Sequence, residues 1–159
     1  MGNIWQIILE TFWLLLPAGI ANTAPVLAAK YNWFPSLNQP LNERLLGSHK
    51  TWRGVFFGVI YGLIAGIILG HGALFGAALG LAALIGDAVK SFFKRRLHIA
   101  PGKSFPVFDQ IDFVIGALLV SILFFPVKIS HVVIAIVMFG LLSCLTSLVG
   151  KQLKIKKSL

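Results

Sequence analysis

The chain is short of charge, and shorter still of acid. Only 12% of its 159 residues are charged, and five carboxylates stand against fourteen Lys and Arg. A soluble domain carries about 25% charged residues, so a surface that faces water all round is excluded. There is one cysteine, Cys144, inside an apolar run. It excludes an internal disulfide and a cysteine-ligated zinc centre, and reads as a small packing residue. The first apolar run has neither a basic segment before it nor a small-residue cleavage site after it. It is therefore expected to stay in the mature chain and not to leave as a signal peptide.

What the chain has instead is apolar length. Hydrophobic residues make up 57%, and the mean hydropathy is +0.87. Five runs stand out: Ile4 to about Ala21, Gly54 to Gly70, Ala73 to about Val89, Phe113 to Phe125, and Ile129 to Val149. Each approaches the ~20 residues a helix needs to cross ~30 Å of hydrocarbon. The expectation is an all-α integral membrane protein, a single domain over residues 1–159 with five transmembrane helices. His71–Gly72 and Pro126–Lys128 are the tight turns between spans. Thirteen of the fourteen cations fall in the two long loops and the C-terminal tail, and only Lys128 lies elsewhere. Cytoplasmic segments collect Lys and Arg, so both loops and the C-terminus are expected in the cytoplasm of a cell-membrane protein, with the N-terminus outside. The same distribution accounts for the net charge of +9 without a nucleic-acid partner. The tail, KQLKIKKSL, reads as an anchor to anionic membrane lipids.

Gly54, Gly58, Gly62, Gly66 and Gly70 recur every four residues, and Gly72, Gly76 and Gly80 follow. Such a stripe lets a neighbouring helix approach closely. An exposed part of it would admit a homodimer.

Three of the five carboxylates, Asp87, Asp109 and Asp112, sit in GDAVKSFFKRRLHIAPGKSFPVFDQIDFVIG, residues 86–116, among five cations. Asp87, Lys90, Ser91, Lys94 and His98 are spaced to share one face of a helix leaving the membrane. Asp109 and Asp112, three apart, share another. Pro101, Gly102 and Pro106 break the chain between them. Two readings stand. The aspartates pair with nearby Lys and Arg, or they hold a divalent metal. Mg²⁺ takes hard oxygen ligands, usually one or two carboxylates with substrate phosphates, and the surrounding cations suit a polyphosphate. The second reading points to phosphoryl or nucleotidyl transfer to a lipid. A transport protein would also carry charges in its spans, but no inverted repeat is visible. A scaffold packed by its glycines leaves the aspartates unexplained.

The same residues carry a resemblance. Ser91-Phe92-Phe93-Lys94-Arg95 and Asp109-Gln110-Ile111-Asp112 resemble the Ser-x-x-Lys-Arg and Asp-Arg-x-Asp elements of CDP-diacylglycerol synthases, with Gln110 in place of the arginine. The His-Gly-Gly element of those enzymes is missing, and KSFPVF stands there. That departure resembles the shorter sister family, CDP-archaeol synthase. LPAGIANTAPVL (residues 16–27) and LGSHKTWRG (residues 46–54) resemble two further elements of that family, so the likeness runs over essentially the whole chain. It implies an Mg²⁺-dependent cytidylyltransferase in which CTP and a lipid phosphate give a CDP-lipid and pyrophosphate. An isoprenoid ether glycerol phosphate is the implied acceptor, with phosphatidic acid as the alternative. Asp87, Asp109 and Asp112 match the metal-site aspartates of the family, and Lys50, Thr51 and Arg53 match a loop expected near CTP. Lys90, Lys94 and Arg95 match its basic helix end, whose signature Ser91 opens. Asn22 fits a base or ribose contact, or equally a cap for a helix broken at Pro25.

Overall fold

In an apolar chain of this kind the backbone polar groups must be satisfied within each segment, and the fold is accordingly helical. The computed structural model describes residues 3–99 and 108–152, of which 108–110, 143 and 146–152 are described in backbone only. Six α-helices follow in order: α1 (Ile4–Lys30), α2 (Glu43–Leu46), α3 (Trp52–Ile68), α4 (Ala73–Arg96), α5 (Phe108–Phe124) and α6 (Ile129–Gln152). A short 3-10 turn, Pro35–Leu37, lies between α1 and α2. Two helices, α1 and α4, are long and apolar enough to cross a membrane; the apolar stretches described in α3, α5 and α6 are shorter.

The interior is made of small residues. Ala18, Ala21, Ala24 and Ala28 of α1, Ala83 of α4, Ala117 of α5 and Ala135 of α6 are fully buried. The large side chains point outward: Leu74, Leu123 and Ile129 are each more than 75% exposed. Water would reject such an exterior, whereas lipid tails accept it, and small residues let helices pack closely within them. The main core joins Leu15, Leu79, Val114 and Phe139 from α1, α4, α5 and α6. The helix α4 packs against α1, α3 and α5, so residues on its different faces meet different neighbours.

The glycine stripe is used between α3 and α4. A Cβ at Gly62 would lie 2.6 Å from Gly76 O, one at Gly66 2.6 Å from Gly72 O, and one at Gly80 2.8 Å from Gly58 O. Gly58, Gly62 and Gly66 therefore face the subunit's own α4, whereas Gly70 and Gly72, at the turn, are exposed.

The expected break at Pro25 does not occur, because α1 runs on to Lys30 through both Pro17 and Pro25. A proline inside a helix removes the N–H that the carbonyl four residues earlier would accept. For Pro17 that carbonyl is Trp13 O, and His71 Nε2, from the α3–α4 turn, lies 3.0 Å from it. In its Nε2–H tautomer His71 donates the missing bond. Pro25 packs instead against Gly54 of α3. Neighbouring helices thus carry the prolines, as they do in other lipid-embedded helices.

This account predicts a coupling. His71→Ala should cost about 1 kcal/mol, or roughly 2–4 °C in melting temperature in detergent. In a Pro17→Ala background, where residue 17 regains its N–H, the loss should nearly vanish. Equal losses in both backgrounds would mean that His71 acts through its ring contacts with Trp13 and Phe75 instead.

Candidate active site

Three separate pieces of chain converge beside the C-terminal half of α4. Asp87 and Lys90 sit three apart on α4, and Lys90 Nζ lies 3.0 Å from Asp87 Oδ1. The same ammonium lies 2.6 Å from Asp112 Oδ2 of α5. Lys50, from the loop before α3, reaches Asp87 Oδ2 from the other side. The result is a chain of alternating charge, Lys50–Asp87–Lys90–Asp112, with Asp112 the most buried member at 6% side-chain exposure. Ser91 Oγ donates to the Asp87 carbonyl at 2.9 Å, and Lys94, one turn beyond Lys90, is buried.

Two glycines let α5 come close enough. A Cβ added at Gly86 of α4 would collide with Asp112 O, and one at Gly116 of α5 would collide with Ala82 O. Neither belongs to the four-residue stripe seen in the sequence. Gly86 directly precedes Asp87, so the helix contact and the ion pairs form at the same level.

The loop that delivers Lys50 is tied down on both flanks. Pro40 and Thr51 form an isolated antiparallel bridge. Leu41 N–H donates to Lys50 O at 2.7 Å, and Trp52 N–H to Gln39 O at 3.1 Å. Thr51 caps α3, its Oγ1 accepting from Gly54 N–H at 3.2 Å. Arg53 is only 5% exposed. It donates to Asn32 Oδ1 at 3.0 Å, Trp33 O at 3.3 Å and Asn38 Oδ1 at 2.8 Å. Arg53 thus holds the segment before α2, while Lys50 is the cation that reaches the carboxylates. Asn32 and Asn38 were not singled out in the sequence; they lie in a polar loop that offers no periodicity to read.

Of the residues expected at the site, Asp87, Asp112, Lys90 and Lys50 meet directly, with Ser91 alongside. The side chain of Asp109, one turn before Asp112 on α5, lies outside the described residues, as does the segment 100–107. Asn22 is half-buried on α1. Arg95 lines a different cavity, between α4 and α2. Among the described residues no three His, Cys, Asp or Glu side chains gather as a metal centre.

The charged cluster opens on an apolar groove of about 480 Å³ between α4 and α5. Val89 and Phe93 form one wall, and Ile111, Ile115 and Leu119 the other. Among the described residues, Lys90 and Asp112 are the only charged groups lining it. Alkyl-shaped space therefore borders directly on an ammonium and a carboxylate group.

A helical bundle with an apolar exterior and ion pairs set against an apolar groove has the build of an integral membrane protein. Residues 4–159 match the model of the CarS-like family, CDP-archaeol synthase. The CDP-archaeol synthase of Aeropyrum pernix is 43% identical over 74% of this chain and 73% of its own length. That of Methanopyrus kandleri is 36% identical over 99% of this chain and 96% of its own length. A solved structure of an intramembrane enzyme for archaeal membrane lipid biosynthesis aligns with a TM-score of 0.72 and 33% identity, covering 91% of this chain and 94% of that one. The chain belongs to the CDP-archaeol synthase family, and is a membrane transferase of lipid biosynthesis.

The two described carboxylates should differ when neutralised. Asp87 serves two lysines and Asp112 shares one with Asp87. Asp87→Asn leaves Lys50 without this partner and takes one of the two carboxylates from Lys90, so it should be the more destabilising change. Asp112→Asn leaves Lys90 still paired with Asp87 and should cost clearly less. Thermal unfolding in detergent checks the order; an Asp112→Asn protein less stable than Asp87→Asn would contradict this charge chain.

Proposed function

We propose that the chain transfers the cytidylyl group of CTP to the phosphate of an isoprenoid ether glycerol lipid, giving a CDP-archaeol-type lipid and pyrophosphate. The observation that carries this reading is the apolar groove whose charged lining is Lys90 and Asp112. A lipid lying in it would present its phosphate to the Lys50–Asp87–Lys90–Asp112 chain. Relatives named CDP-archaeol synthase support the nucleotide and the product class.

In the reaction, an oxygen of the lipid phosphate attacks the α-phosphorus of CTP. The bond between the α-phosphorus and the bridging oxygen breaks, and pyrophosphate leaves. Both reactants are anions, so holding them together is the main difficulty, and positioning with charge neutralisation does most of the work. Lys50 and Lys90 are placed to exchange a carboxylate oxygen for a phosphate oxygen. Lys94 adds charge on the same face, and Lys50 and Thr51 form the loop side of the nucleotide site. Arg53 acts by fixing that loop, and Asn22 is assigned to the base or ribose. Asp87 and Asp112, with Asp109, would hold Mg²⁺. The described donor set fits, since two hard carboxylates already gather round one cation, the Lys90 ammonium. Bound there, the metal would supply Lewis-acid neutralisation of phosphate charge.

The topology proposed is five spans, with the N-terminus outside and the active site facing the cytoplasm. The cation distribution supports it, because thirteen of fourteen Lys and Arg fall in the same set of segments. In a Cys144→Ala background, a cysteine at Ser36 should react with impermeant thiol reagents only from the cytoplasmic side, and one at Lys128 only from outside. The opposite pattern would overturn the orientation.

The substrate assignment predicts that purified protein with CTP and Mg²⁺ converts digeranylgeranylglyceryl phosphate faster than phosphatidic acid. Ester carbonyls would lie in the apolar groove without hydrogen-bond partners. Leu119→Trp, which fills the groove, should lower turnover of the long-chain lipid at least about tenfold while leaving CTP binding intact. Incorporation of radiolabelled CTP measures both. Phosphatidic acid turning over ten times faster would overturn the lipid assignment, and an undiminished Leu119→Trp would remove the groove from the reaction.

A further inference from the structure

A second cavity, also about 480 Å³, lies between the α2 segment and the last turns of α4. It is lined by Asn42, Arg44 and Leu45 on one side and by Phe92, Arg95 and Arg96 on the other. Three guanidinium groups and no carboxylate line it among the described residues. Arg96 sits over the Phe92 ring, 5.3 Å from its centroid, which holds that guanidinium beside the cavity by cation–π attraction. The Nε of Arg95 is buried and has no hydrogen-bond partner among the described residues. A buried charged donor left unpaired is costly, so an acceptor oxygen entering the cavity would be stabilised there. Asn42 Oδ1 already accepts from Leu45 N–H at 3.0 Å, and its amide NH2 adds donors to the cavity wall.

The helical geometry separates this cavity from the reaction site. At 100° per residue, Phe92 and Arg96 face roughly 140° and 180° away from Asp87 and Arg95 about 80°, and the three together point on average roughly 110° from the groove face. Arg95 is also eight residues beyond Asp87, about 12 Å along the axis. A ligand on the carboxylate face or in the groove leaves the arginine cavity open.

We propose that this cavity is a second binding site, for a phosphate-bearing anion. Guanidinium groups match phosphate oxygens in paired, fork-like hydrogen bonds. Such an anion comes either from the headgroup of an anionic lipid or from free pyrophosphate. The site goes beyond the transfer reaction proposed above and does not depend on it, so binding and not turnover is the readout.

The test uses the purified full chain and an Arg44→Gln/Arg96→Gln variant, neither residue being assigned to the reaction. One arm titrates inorganic pyrophosphate in neutral detergent without divalent cations. The other places the protein in nanodiscs of phosphatidylcholine with or without phosphatidylglycerol. Thermal stabilisation is compared with sodium chloride at equal ionic strength. At least one probe should stabilise the wild type beyond the salt control, and the variant should bind that probe roughly tenfold or more weakly. Stabilisation by CTP with Mg²⁺ should be unchanged. The probe that responds identifies the source of the phosphate. No response to either probe, a response matched by salt, or a response undiminished in the variant would overturn the site. Loss of CTP–Mg²⁺ stabilisation in the variant would merge the arginines with the nucleotide site and overturn a separate one. If the double variant does not purify as a single species, Arg44→Gln alone is measured against the same outcomes.

Discussion

One ammonium group shared by two carboxylates ties this structure together. Lys90 reaches Asp87 on its own helix and Asp112 on the next. A lone charge at the centre of a membrane span costs about 2.5–3.5 kcal/mol on insertion scales. Four charges in an alternating chain relieve one another, and Lys50 joins a loop to that chain. The arrangement requires α5 to lie almost on the backbone of α4. That is possible only because residues 86 and 116 have no side chain to collide with Asp112 O and Ala82 O. Packing and charge are therefore one design at this level of the bundle, and a substitution that disturbs either disturbs both.

The rest of the fold keeps that contact in register. The small-residue core lets α1, α3 and α5 all approach α4. Buried ion pairs stabilise little by themselves, since desolvation offsets most of the attraction. Their value here is positional: they hold carboxylate and ammonium groups beside an apolar groove. Arg53 does the corresponding work for the loop. Its three hydrogen bonds to the segment Asn32–Asn38 fix the stretch that leads into α2, and the Pro40–Thr51 bridge carries that order to Lys50.

Much of this was legible in the sequence where a helical period carried it. Asp87, Lys90, Ser91 and Lys94 recur at helical spacing and lie on one helix, but it ends at Arg96, so His98, expected on the same face, falls beyond it in a left-handed conformation. The glycines spaced by four predicted a close helix contact, although not that their partner would be the adjacent span. Contacts between distant segments left no period to read. Lys50 lies 37 residues before Asp87, and nothing in the local pattern separates it from Arg53, which turns into its own loop. Pro25 was read by its local chemistry as a helix break, whereas packing of α1 against α3 overrides that preference. Gly86 and Gly116 fall outside the four-residue repeat, so no period in the sequence marked them. Arg95 was grouped with Lys90 and Lys94 by motif; one residue along a helix turns a side chain by 100°, and its place in the wall of a second cavity had no period to mark it.

The central claim is that the carboxylates beside Lys90 form a metal-assisted nucleotide site at the edge of the lipid groove. Calorimetric titration of CTP, with and without Mg²⁺, into the wild type and Asp112→Asn tests it most directly. The account predicts CTP binding that strengthens at least about tenfold with Mg²⁺ in the wild type, as expected for a charge-assisted contact worth ~1.5–3 kcal/mol, and that loses this dependence in folded Asp112→Asn. CTP binding that ignores Mg²⁺, or that keeps its full Mg²⁺ dependence without the Asp112 charge, would contradict it.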